Sequence, residues 1–190
     1  MLKKFVLLLF LFMLLAPLAL SILIRSGWID WPGPATHIHG ELIEPTRPVG
    51  SFSLPDATGK VRDQSDFDGL WQLVYVDADG CPRQCLERLF GLRELRRSLD
   101  RDRPDVGLVL ISLPALDAPR IDDILRLAPD LMVFDGSSGR ALAARFPRPE
   151  PSAFYIVGPA GNIMMRFDGD VDPDGIRLEL RRLLTWTRRD

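Results

Sequence analysis

Between residues 82 and 101 the apolar positions Cys85, Leu89, Leu92, Leu95 and Leu99 recur every three or four residues among charged neighbours, the spacing of a half-buried helix. Pro82 suits the first turn of that helix, where its missing N–H costs nothing. Continuous apolar runs at 70–76, 106–112 and 131–134 read instead as buried strands, with short helices predicted over 121–127 and 140–146. Residues 51–54 and 60–62 flank Asp56, Ala57, Thr58 and Gly59 as a hairpin. A second hairpin joins 154–157 to 163–167 across Gly158, Pro159, Ala160, Gly161 and Asn162, and a last helix runs from about Asp172 to Thr187. This order predicts an α/β fold of three layers, a central mixed sheet with helices on both faces.

Residues 5–24 break the alternation altogether. About 20 nearly unbroken apolar residues, at 1.5 Å rise each, cross the roughly 30 Å hydrocarbon core of a bilayer. The expected organisation is therefore a cytoplasmic N-terminus at 1–4, a transmembrane helix at 5–24, a tether at 25–48 rich in proline and glycine, and a folded domain at 49–190. Lys3 and Lys4 precede the apolar run while Arg25 follows almost alone, so the positive-inside rule places the domain outside the inner membrane, in a periplasm or its equivalent. A cleavable signal peptide fits less well, because its apolar region is shorter and Leu18-Ala19-Leu20-Ser21 is a poor cleavage site. Trp28 and Trp31 are candidate interfacial anchors.

A net charge of −2 implies no long-range attraction to nucleic acid. Chemistry is expected at Cys81 and Cys85, the only two cysteines, on the loop between the 70–76 strand and the long helix. If Cys81 caps that helix, the dipole and Arg83 favour its thiolate, whereas Asp77 and Asp79 oppose it. Four residues along a helix is near the Cα separation of a disulfide. Such a bridge closes a short loop, worth only about 2 kcal/mol by chain entropy. Three readings stand together: a thiol-disulfide oxidoreductase pair, two thiolates for a soft ion such as Cu(I), and an inert disulfide in an accessory protein.

Residues 49–184 resemble the Sco/SenC family, thioredoxin-like membrane-anchored proteins that help build the copper centre of cytochrome c oxidase. The resemblance rests on Gly50-Ser51-Phe52-Ser53-Leu54 with Gly59-Lys60-Val61, on the Cys81 to Cys85 spacing, on Ser112 with Pro114 to Pro119, and on Tyr155-Ile156-Val157-Gly158-Pro159-Ala160-Gly161. It implies a thioredoxin-like fold and a protein partner in respiratory oxidase assembly. It also implies a substrate-facing cis-proline at Pro151, rather than Pro149, and a loop around Asp117 near the thiols.

The chain departs from the family pattern at two places. Leu86 replaces the proline after the second cysteine, and Glu150 stands where the family has its metal-binding histidine, with no histidine after His39. His37, His39, Met164 and Met165 are weaker ligand candidates, better read as linker or core residues. In the redox version Cys81 attacks as the more exposed thiol and Cys85 resolves. The arginines at 177, 181, 182, 188 and 189 read as a solvated helix face, and Asp168, Asp170, Asp172 and Asp174 as a turn and helix start.

Overall fold

In the computed structural model the described residues are 40–148 and 152–187, with Lys4, Met13 and Leu15. Residues 1–37 and 38–190 form two separate units. Among the described residues no helix is long and apolar enough to cross a membrane, and the run predicted to span, 5–24, lies almost wholly outside them.

The second unit is built on a six-stranded sheet of β1 (Glu41–Pro48), β4 (Trp71–Asp77), β5 (Val106–Ser112), β6 (Leu131–Phe134), β7 (Phe154–Val157) and β8 (Asn162–Phe167). The strand order is β1-β8-β7-β4-β5-β6, and a separate two-stranded hairpin joins β2 (Ser53–Pro55) to β3 (Val61–Asp63). β4, β5 and β6 are parallel, whereas β7, β8 and β1 each run antiparallel to the strand beside them. Among the described residues four α-helices complete the unit: α1 (Arg83–Arg97), α2 (Ala118–Leu127), α3 (Gly136–Ala143) and α4 (Pro173–Thr187).

Strand alternation assigns the two faces. Trp71, Leu73 and Tyr75 of β4 share a core with Leu89, Leu92 and Leu95 of α1, Ile124 of α2 and Leu180 of α4. Val74 and Val76 point the other way, toward Leu142 of α3 and Phe52 and Phe67 of the hairpin side. Because both faces are covered, β4 is buried along its whole length, which is why its sequence reads as a continuous apolar run rather than an alternation.

β1 falls within the stretch expected to be tether. Its pattern is almost wholly exposed and it carries Pro45 and Pro48, so composition resembles a linker. As an edge strand it needs only one neighbour, and prolines are tolerated there. Its pairing with β8 shifts register between Leu42 and Arg47, around the cis bond Glu44–Pro45. α3 begins four residues before its predicted start, in a Gly-Ser-Ser-Gly segment of weak helix propensity.

The β2–β3 hairpin covers the β6 edge, where the Ala57 N–H donates to the Val133 carbonyl at 2.7 Å. Asp56 holds the hairpin's turn, accepting from the N–H groups of Thr58 and Lys60, the Thr58 hydroxyl and the Arg62 guanidinium. Burial by itself pushes this carboxyl up, but the bonds from Thr58, Arg62 and Lys60 outweigh it and hold the group below its ordinary value of 3.8. A lowered folded-state value means that the stabilisation is present above the unfolded value and is lost as pH falls through the folded one. Asp56→Asn should therefore cost about 1–2 kcal/mol at neutral pH. In urea melts the gap from the parent should close as pH drops below 3.8.

Candidate functional site

β4 ends at Asp77, which is 2% exposed. Its backbone carbonyl accepts from the Leu113 N–H at 2.8 Å, while its carboxylate accepts from the N–H groups of Asp79 at 3.1 Å and Cys81 at 2.7 Å. Gly80 and Cys81 follow with φ of +74° and +51°, and this double left-handed step turns the chain back into α1. A non-glycine residue there costs about 1–2 kcal/mol, and the Asp77 bond to the Cys81 amide holds it in place.

Cys81 and Cys85 form a disulfide, with Cα atoms 4.9 Å apart. The sulfurs thus stand at the C-terminal end of a central parallel strand and the N-terminal end of the helix that follows. Two expectations change. The helix is capped by Pro82, so Cys81 precedes the cap, and Cys85 sits in the first turn. Nor is Cys81 the more exposed thiol, since the two residues are 0% and 1% exposed.

The loop at 113–117 runs beside the cysteine turn. A Cβ on Gly80 would lie 3.6 Å from Pro114, and Leu116 packs against the core cluster that contains both cysteines. The loop is pinned from outside: the Ser112 hydroxyl and the Gly136 N–H donate to the Pro114 carbonyl, the Leu116 N–H donates to the Asp135 carboxylate at 2.8 Å, and Arg140 donates to the Leu113 carbonyl. Asp117, expected near the thiols, caps α2 through the Arg120 N–H. Arg83, expected to favour thiolate, is 92% exposed in its side chain and paired with Glu87 at 3.1 Å.

On the remaining side, Val76 and the segment before β7 exchange two bonds, Val76 N–H to Ala153 carbonyl and Ser152 N–H to Val76 carbonyl, each 2.9 Å. That segment therefore reaches the end of β4 beside the disulfide loop. Pro151, Pro149, Glu150, His37 and His39 lie outside the described residues. Met165 is core, and Met164, within β8, is partly buried against the same core with its sulfur toward Gly158. Of the C-terminal charges among the described residues, Arg177 pairs with Asp174, Arg182 with Glu179 and Asp168 with Arg166, while Arg181 donates to the Ser98 carbonyl; Arg188 and Arg189 lie outside the described residues.

The donor set fits copper only in part. Two sulfurs are soft donors once reduced, but Asp77 is a hard oxygen already engaged by two amides. Among the described residues no group of three histidine, cysteine, aspartate or glutamate side chains is placed to hold a metal. What sequence reasoning missed is Asp77 as the anchor of the loop. Its signal was present, since an aspartate two residues before another polar position and three before a glycine commonly accepts from the backbone just ahead.

A two-cysteine loop between a central strand and a helix, on a mixed sheet covered on both faces, defines a thioredoxin-like domain. Residues 71–187 match the family described as transmembrane-like, thioredoxin-like, C-terminal domain. The mouse mitochondrial protein SCO2 homolog is 34% identical over 118 residues, covering 58% of this chain and 44% of that protein, so the chain spans less than half the relative's length. Yeast Sco1 with copper bound superposes with a TM-score of 0.62 at 18% identity, covering 75% of this chain and 95% of the other. BsSco, described as a member of the Sco family of cytochrome c oxidase assembly proteins and as having a disulfide switch, gives 0.55 at 18% identity, with 74% and 96% covered. The chain belongs to this transmembrane-like, thioredoxin-like family, and it is similar in sequence and fold to Sco proteins.

Proposed function

We propose that this chain is a membrane-anchored, periplasmic assistant in cytochrome c oxidase assembly, acting by thiol-disulfide exchange through Cys81 and Cys85. The observation that carries the reading is the disulfide at the strand-to-helix junction of a thioredoxin-like frame. A static bridge across so short a loop contributes only about 2 kcal/mol, little reason to place it on a strained turn.

In the oxidised form, a partner thiolate attacks one of the two sulfurs, and the Cys81–Cys85 bond breaks as a mixed disulfide forms. The partner's second thiolate then displaces this chain, which leaves as the dithiol. Two electrons and two protons pass to Cys81 and Cys85, and the partner keeps the disulfide. In reverse, Cys81 attacks and Cys85 resolves. Attack on the bridge requires the buried sulfurs to become accessible first.

Equilibration with glutathione tests this. A reduction potential between about −180 and −300 mV is expected, the range of exchanging proteins, whereas a value well below −300 mV marks an inert bridge. A second reading, in which the reduced pair carries Cu(I) as cargo on two thiolates, draws support from copper-bound yeast Sco1. Anaerobic Cu(I) titration of the reduced chain should then reach one ion per chain, and none in a Cys81→Ser/Cys85→Ser variant.

A further inference from the structure

At the edge of the sheet opposite the disulfide, where β5 and β6 begin and α1 ends, a cavity of about 260 Å³ is lined by Arg93, Arg96, Arg97, Arg103, Arg126 and Asp130 among others. Arginine forks match the oxygens of phosphate and carboxylate groups, and five of them around one hollow are costly to assemble unless something offsets their mutual repulsion. Three carboxylates do so in part: Asp130 meets Arg96 at 3.2 Å, Glu94 lies 3.2 Å from Arg97 and 3.8 Å from Arg93, and Asp123 meets Arg126 at 3.0 Å. Arg103 makes no ion pair among the described residues, and its neighbours Asp100, Asp102 and Asp105 do not line the hollow.

The five guanidinium groups thus exceed their paired carboxylates by two charges. In addition, the Nε of Arg96 is closed off from solvent and has no acceptor. The volume falls just below the roughly 300–1,000 Å³ of pockets for drug-sized ligands, which favours a small ion.

We infer that this cavity binds a small doubly charged oxyanion of the phosphate class, free in solution. The site shares no lining residue with the disulfide loop, and it is independent of the exchange reaction proposed above.

Titration calorimetry of inorganic phosphate into the full chain, with ionic strength held constant by chloride, tests the inference. One saturable site is expected, with a melting temperature that rises with phosphate and not with chloride. An Arg93→Gln/Arg126→Gln variant, altered at the cavity rim, should bind at least tenfold more weakly while melting within about 2 °C of the parent in phosphate-free buffer. Retention of affinity within twofold in that variant, or a response equal to that of chloride, would overturn the site. If the rim variant melts lower, Arg103→Gln, which breaks no ion pair among the described residues, is judged by the same tenfold criterion. Binding of short-chain phosphatidic acid monomers with inorganic phosphate inert would assign the cavity to a lipid headgroup and overturn the free-ion assignment.

Discussion

Cys85→Ser should convert this chain from an exchanging protein into a trap. With Cys81 alone remaining, attack on a partner disulfide gives a mixed disulfide that no second thiol of this chain can resolve. Turnover should fall to background, and a covalent complex sensitive to reductant should accumulate on non-reducing gels. Cys81→Ser should lose turnover equally but trap far less, because Cys85 is held inside the first turn of α1. Equal trapping by the two variants would remove the assignment of Cys81 as the attacking thiol. Absence of a complex from both would remove the exchange reaction itself.

Gly139→Ala should be strongly destabilising. A Cβ at this position of α3 would lie 2.0 Å from the Ser112 carbonyl oxygen and 3.0 Å from that of Phe134. Both obstacles are backbone in the sheet, so no side-chain rotation relieves them and the helix must shift away from β5. We expect a loss of roughly 3 kcal/mol, or a melting temperature lower by roughly 10 °C. Gly59→Ala provides the contrast. That residue has open space around it but a φ of +82°, so the cost should stay near 1 kcal/mol. Similar losses at the two positions would show that α3 can move and that the close approach constrains little.

The interior was legible because burial writes itself into the sequence. β4, β5 and β6 are continuous apolar runs covered on both faces, and α1 carries its leucines at helical spacing. β1 was not legible, because an exposed edge strand has no buried side to alternate. At the site, the cysteine pair and its place between strand and helix could be read directly. Its burial could not, because it depends on tertiary neighbours such as the loop at 113–117, which lies more than 25 residues downstream and is held by Asp135 and Arg140, further still. Asp77 looked like an unfavourable charge beside a thiol. Its carboxylate instead satisfies two backbone amides, a role that depends on a turn of +74° and +51° at Gly80 and Cys81.

Asp77 grips both segments at once, the cysteine turn through its carboxylate and the start of the loop at 113–117 through its carbonyl. On the proposed exchange reading, a partner that draws on the Leu113 end of that loop would pull, through this one aspartate, on the turn that carries Cys81.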